Sequence, residues 1–226
     1  MDLLLFDIDG TLLRTRGAGR EALDEAFFRV LGWPDATSGI SLAGATDGGI
    51  VRGVAARFGV AWDGVSPPPF DLDAVREAYL SALAVRLAQP ERVALCPGVR
   101  ALVEGLAGRA HLALLTGNWR VGAAMKLGAV DLWGGWLDGA YGDDHTDRNR
   151  LVPVARARAV AAGLSFRRII VIGDTPADVE CARAGGALVV AVETGFASAD
   201  SLAAARPDLL LPDLERGRPW FEAFVA

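Results

Sequence analysis

Four apolar runs in this sequence each stop abruptly at a small polar turn. Leu3-Leu4-Leu5-Phe6 stops at Asp7, His111 to Leu115 at Thr116-Gly117-Asn118, Ile169 to Ile172 at Gly173-Asp174, and Ala187 to Val192 at Glu193-Thr194-Gly195. A strand with one wet face alternates polar and apolar residues. Short unbroken apolar runs are instead the mark of strands buried on both faces, as in a parallel sheet covered by helices. Leu209-Leu210-Leu211 is a candidate fifth, short strand. Helical stretches fall between the runs: Val99 to Leu106 after Pro97-Gly98, Val121 to Leu127, Leu151 to Ala162 closed by Gly163, and Ala177 to Ala184 closed by Gly185-Gly186. From residue 96 onward strand and helix therefore alternate, which predicts a parallel α/β sheet whose ligands bind beyond the carboxyl ends of its strands.

Residues 15–92 break that alternation. Apolar positions recur there at helical spacing: Ala22, Leu23, Ala26, Phe27; then Ile50, Val51, Val54, Ala55; then Val75, Tyr79, Leu83, Leu87. Asp71 is placed to cap the last of these helices, and Pro67-Pro68-Pro69 separates it from the one before. The pattern predicts an all-helical insertion over 15–92, with residues 1–14 and 93–226 forming the α/β core. A chain of 226 residues is long enough for such a core and one accessory piece, at roughly 150 residues per domain.

Composition narrows the chemistry. With 52% hydrophobic and 23% charged residues the chain reads as an ordinary globular protein. No apolar run approaches the roughly 18 residues a membrane helix needs. The N-terminus carries Asp2 and Asp7 rather than a basic segment followed by a long apolar one, so a cytoplasmic location is expected. Cys96 and Cys181 stand far apart and the histidines are His111 and His145 alone, so no zinc or iron–sulfur ligand set can be assembled. Both thiols read as buried fillers. The formal charge of −5 argues against a duplex nucleic-acid partner, which needs clustered cations, but leaves room for a small anionic substrate. Lys126 is the only lysine among 23 basic residues, so chemistry that requires a lysine has one candidate.

Polar residues cluster where three predicted strands end: Asp7 and Asp9, Thr116 and Asn118, Asp174 and Asp178. In a parallel sheet these positions share one edge. Crowded carboxylates repel one another unless a cation neutralises them, and hard oxygen ligands with open positions suit Mg²⁺. A strand-end carboxylate can attack phosphorus, and a second one two residues on can protonate the leaving oxygen and then activate water. Gly10 allows the sharp turn beside them. Taken alone, Asp7-Ile8-Asp9-Gly10 is as readily a strand followed by a turn. Thr116-Gly117-Asn118 is a turn by itself; beside the acids, its hydroxyl and amides can hold a phosphoryl oxygen. Gly173-Asp174-Thr175-Pro176-Ala177-Asp178 opens a helix, and the competing role for Asp174 is N-cap. Phosphoryl transfer also needs a cation facing the metal, and Arg148 and Arg150 are the candidates.

Taken together these residues resemble the haloacid-dehalogenase superfamily of phosphatases, in particular its phosphoglycolate-phosphatase-like branch. Asp7-Ile8-Asp9-Gly10-Thr11 resembles the first motif of that family, Thr116-Gly117-Asn118 the second, Arg148 the third, and Gly173 to Asp178 the fourth. The resemblance implies a Rossmann-like core with a helical cap and Mg²⁺-dependent hydrolysis of a small phosphorylated metabolite. It makes Asp7 nucleophile and metal ligand, and Asp9 acid/base with its carbonyl on the metal. Asp174 becomes a ligand, and Asp178 a ligand directly or through water. Thr116, Gly117 and Asn118 would bind the phosphoryl group, and Arg148 would stand where the family more often has lysine. Thr15, Arg16 and the Ala43 to Asp47 loop resemble cap segments that face the active site, which makes Arg16 and Thr46 candidate substrate contacts; a hinge-surface arginine and a helix cap are their competing roles. Trp119, directly after the second motif, is a packing residue or a pocket wall. The family's dehalogenases lack the second aspartate, its phosphonate hydrolases use a cap lysine, and its β-phosphoglucomutases a cap His-Lys pair; this chain keeps Asp9 and has no lysine or histidine in 15–92. A phosphomonoester hydrolase is what remains, monomeric or weakly self-associating, with a catalytically silent binding or regulatory protein on the same fold as the alternative.

Overall fold

Leu3, Leu4, Leu5 and Phe6 have no exposed surface, and they form the first strand of a six-stranded sheet. The computed structural model describes residues 1–224. In chain order the elements are β1 (Leu3–Phe6), β2 (Leu13–Arg14), α1 (Ala18–Leu31), α2 (Asp47–Arg57), α3 (Leu72–Leu87), β3 (Ala94–Leu95), α4 (Val99–Leu106), β4 (His111–Leu115), α5 (Arg120–Gly128), β5 (Leu137–Ala140), α6 (Leu151–Ala161), β6 (Ile169–Gly173), α7 (Pro176–Ala184), β7 (Leu188–Val192), α8 (Ala199–Ala204), β8 (Leu209–Leu211) and α9 (Leu214–Phe224). The sheet runs β5-β4-β1-β6-β7-β8 with every pairing parallel. Successive residues of β1 point to opposite faces. Leu4 and Phe6 join a core with α4, α5 and α9, while Leu3 and Leu5 join one with α6 and α7. Each of these side chains contributes about 2 kcal/mol by leaving water.

Register explains how the site assembles. Phe6 lies opposite Leu114 on one side and Ile172 on the other, so the residues that follow on β1, β4 and β6 emerge at one edge. Between β2 and β3 the chain forms helices α1, α2 and α3, whose apolar faces meet in a third cluster around Phe27, Val51, Val54, Tyr79 and Leu83. Trp33 stacks on the Phe58 ring at 4.7 Å, filling that cluster. Asp71 caps α3 by accepting from the Ala74 amide. The two-residue ribbon formed by β2 and β3 ties together the chain on either side of these helices. No described helix is long and apolar enough to cross a membrane.

Candidate functional site

The turn after β1 is built around Asp174. Gly10 has φ +88°, and a Cβ there would collide with the Asp174 carboxylate and the Gly195 backbone. Thr11 donates its hydroxyl to Asp174 Oδ1 at 3.3 Å, and the Phe196 amide donates to Oδ2 at 3.0 Å. Gly195 leaves the space that the Asp174 carboxylate occupies. Asp174 is thus held by the first turn and by the loop after β7, and it is not an N-cap. Thr175 caps α7 instead, in a capping box with Asp178: the Thr175 amide and hydroxyl donate to Asp178 Oδ2 at 3.0 and 2.7 Å.

Arg148 binds this group together from below. Its Nη2 donates to Asp7 Oδ1 at 2.9 Å and to Asp178 Oδ1 at 2.5 Å. Arg150 is exposed, so of the two arginines only Arg148 reaches the acids. Asp7, Asp174 and Asp178 each offer an oxygen within 4.8 Å of the others, and all three are buried. Burial pushes the Asp7 carboxyl up to about 7; Arg148 opposes this and Asp178 reinforces it. Burial, then repulsion from Asp178 and Asp7, pushes Asp174 up to about 8. Burial works against the charge on Arg148, but Asp178 and Asp7 outweigh it and raise its pKa. Three buried carboxylates against one guanidinium leave an excess of negative charge. Hard oxygen donors with a residual charge deficit fit a divalent cation such as Mg²⁺.

A second network forms where β4 ends. Thr116 Oγ1 accepts from the Asn118 amide at 3.2 Å and from its Nδ2 at 2.8 Å, and that Nδ2 also donates to Asp9 Oδ2 at 2.7 Å. Lys126, near the end of α5, completes the network. Its Nζ donates to Asp9 Oδ2 at 2.6 Å and to Asn118 Oδ1 at 2.5 Å, and the residue is 4% exposed. The sequence marked Lys126 only as the sole lysine, and that rarity was the one available signal.

The loop leading into α2 lies across both networks. The Asp47 amide donates to Gly117 O at 2.7 Å, and the Trp119 amide donates to Asp47 Oδ2 at 2.7 Å. A side chain on Gly117 would collide with Ala45 O, so glycine is required for this approach. A cavity of about 330 Å³ remains between loop and sheet edge, lined by Asp7, Asp9, Asn118, Lys126 and Arg148 on one side and by Leu23, Asp47, Ile50 and Tyr79 on the other. Thr116 and Gly117 also line it. Two expected substrate contacts do not. Arg16 is exposed, on a left-handed turn at φ 45°, and lies outside the cavity lining. Thr46 caps α2, accepting from the Gly49 amide at 3.0 Å and donating to Thr146 O at 2.6 Å, which commits its hydroxyl. Asp47, its neighbour, faces the cavity instead. Trp119 packs edge-on against Tyr79 and is buried outside the lining. Both cysteines are buried, each with its Sγ against a backbone carbonyl of this region: Cys96 on Gly10 O and Cys181 on Arg148 O.

Comparison with known proteins agrees with this fold. Residues 149–216 match the HAD-hydrolase-like family model. No curated protein matches the chain by sequence. Solved structures match it by fold over nearly the whole length. A hydrolase from Pseudomonas syringae is 20% identical, with 100% of each chain covered and a TM-score of 0.73. CbbY from Rhodobacter sphaeroides, in complex with phosphate, is 20% identical over 96% of each chain, with a TM-score of 0.70. A predicted phosphoglycolate phosphatase from Haemophilus somnus 129pt is 18% identical over 95% of each chain, with a TM-score of 0.67. The chain therefore has the haloacid-dehalogenase fold, and its segment carrying Asp174 and Asp178 groups with the HAD-hydrolase-like family.

Proposed function

We propose that the protein hydrolyses small phosphomonoesters in the cytoplasm, using Mg²⁺ and an aspartyl phosphate formed on Asp7. The observation that carries this reading is the convergence of Asp7, Asp9 and Arg148 on one cavity, with Asp174 and Asp178 beside Asp7. An Asp7 oxygen attacks phosphorus, the bond from phosphorus to the leaving alcohol breaks, and the alcohol oxygen takes a proton from Asp9. Asp9, now ionised, takes a proton from water as the water oxygen attacks phosphorus. The bond to Asp7 breaks, inorganic phosphate leaves, and both carboxyl groups are restored. Thr116, Gly117 and Asn118 bind the phosphoryl oxygens, and Arg148 offsets their charge. Lys126 holds Asp9 and Asn118 in register. Residues 15–92 act as a cap that excludes water from the reacting groups.

Asp7, Asp174 and the Asp9 carbonyl are the groups that would hold Mg²⁺. Asp178, whose Oδ1 is shared with Arg148 and whose Oδ2 is held by Thr175, would join them directly or through a water. When bound, the ion supplies positive charge that lets an anionic nucleophile approach an anionic phosphate. The test is phosphate release by the purified protein from p-nitrophenyl phosphate and a metabolite panel. Release with Mg²⁺ that falls to background with a chelator is expected; no release from any ester would overturn the reading in favour of a silent binding protein.

The metal-free protein has a predictable pH response. Asp7 and Asp174 are raised in the fold from an ordinary 3.8 to about 7 and about 8, so the folded state binds protons that the unfolded chain has released. Their contribution to stability is greatest below pH 4 and is lost as pH rises toward 8. A divalent cation reverses that loss. In thermal melts, Mg²⁺ should therefore raise the midpoint by about 5 °C or more at pH 8 and by under about 2 °C at pH 5.5. Equal shifts at both pH values would count against these two acids as the metal site.

A further inference from the structure

The cations that line the cavity already have protein partners, and of their buried nitrogens only Arg148 Nε is left unpaired among the described residues. Arg148 donates to Asp7 and Asp178, and Lys126 to Asp9 and Asn118. Arg20, the third, donates through Nη1 to Thr37 O and Oγ1 and through Nη2 to Ile40 O. Arg16 lies outside the lining. Among the described residues the cavity thus offers no uncommitted cation beyond the phosphoryl site.

It does offer an anion. Asp47 is 6% exposed and its Oδ2 is taken by the Trp119 amide, while Oδ1 has no hydrogen-bond partner among the described residues. The Trp119 contact and the Asp47 amide on Gly117 O fix the side chain at the cavity wall, opposite Asp9 and Lys126. Burial pushes Asp47 up to about 6, with Lys126 and the Trp119 amide pulling it down and Asp9 and Asp143 pushing it up, so it is mostly ionised at neutral pH. Around it the wall is formed by the apolar side chains of Leu23 and Ile50 and by Tyr79, whose hydroxyl pKa is raised by burial first and then by Asp47. A second acid on the substrate would meet a fixed carboxylate in a low-dielectric cavity where the nearest cation, Lys126, is already bonded to Asp9 and Asn118. A hydroxyl or ammonium would find an acceptor that otherwise stays unpaired.

We propose that the substrate is a phosphomonoester whose alcohol portion carries a hydrogen-bond donor, a hydroxyl or an ammonium, and no second acidic group, and that Asp47 Oδ1 reads that donor. This deepens the phosphatase reading and rests on it. The test compares kcat/KM for glycerol 3-phosphate, O-phosphoethanolamine, phosphoglycolate and p-nitrophenyl phosphate, in the wild type and in Asp47→Asn, whose amide oxygen can still accept from Trp119. One of the first two should exceed phosphoglycolate by about 10-fold or more, and which of them leads tells hydroxyl from ammonium. Asp47→Asn should shrink that preference by about 10-fold, through KM more than kcat. Phosphoglycolate turned over as well as the donor-bearing esters would overturn the proposal while leaving phosphatase activity standing. A preference unmoved by Asp47→Asn would overturn the role of Asp47. No turnover even of p-nitrophenyl phosphate would bring down the phosphatase reading and this proposal with it.

Discussion

Asp7→Asn should reduce Mg²⁺-dependent phosphate release by at least ~10³-fold, the scale seen when a covalent nucleophile is removed, without unfolding the chain. The substitution keeps the shape of the side chain, and the amide oxygen can still accept from Arg148 Nη2, which donates to Asp7 at 2.9 Å. It removes one of three buried acids that face a single guanidinium. Because Asp7 is pushed up to about 7 in the fold, its ionised form costs stability at pH 8 when no cation is bound. The metal-free variant should therefore melt at or above the wild-type temperature at that pH. The measurement pairs a phosphate-release assay with a thermal melt in chelator. Turnover within ~10-fold of wild type would remove Asp7 from the nucleophile role. Lost turnover with a melting point lowered by several degrees would assign it a structural role instead.

That Asp7 stands among the other acids was legible because of how the central strands are buried. β1, β4 and β6 are covered on both faces, so their sequences are unbroken apolar runs and their ends fall at the first polar residue. β5 escaped notice because it sits at the sheet edge with Asp138 and Gly139 in its four residues, and so carries neither an apolar run nor an alternating pattern. The β2–β3 ribbon is two residues per strand, too short to show any period. α9 was hidden by Gly217 and Pro219 inside it, both of which read as breakers. The site divides in the same way. Residues at strand ends have their direction set by the sheet, and Asp7, Thr116, Asn118 and Asp174 all arrive where that logic puts them. Residues in the helices between β2 and β3, and in the turns that lead into them, have no such constraint. Arg16 turns outward on a left-handed residue, and Thr46 spends its hydroxyl on a helix end and on Thr146 O. Lys126 resembles any basic residue in a last helical turn; only the depth of α5 behind the Asn118 loop brings its amine to Asp9.

The same geometry separates two neighbouring arginines, of which the sequence favoured Arg148. Arg148→Met should cost about 3–5 kcal/mol of metal-free stability at pH 8, because it leaves Asp7 and Asp178 buried with no counter-charge. Arg150→Met changes an exposed side chain and should stay within about 0.5 kcal/mol of wild type. The loss at Arg148 should be smaller at pH 5.5. Asp7 is pushed up to about 7 even with the arginine present, and without it the carboxyl takes a proton more readily still, so at low pH the cluster escapes its own repulsion. Mg²⁺ should recover much of the lost melting temperature, since a divalent cation among Asp7, Asp174 and Asp178 offsets the same repulsion. It should not recover turnover, which we expect to remain down by ~10²-fold or more, because the guanidinium that offsets the phosphoryl charge is still missing. Arg148→Lys tests whether charge alone suffices. The guanidinium spans Asp7, Asp178 and the Gly44 carbonyl at once. An ammonium on a shorter reach keeps the charge but not all of those contacts, so partial activity between wild type and Arg148→Met is the expected result. Equal losses from Arg148→Met and Arg150→Met, in melts and in turnover, would show that the buried bridge is not what holds the acids together.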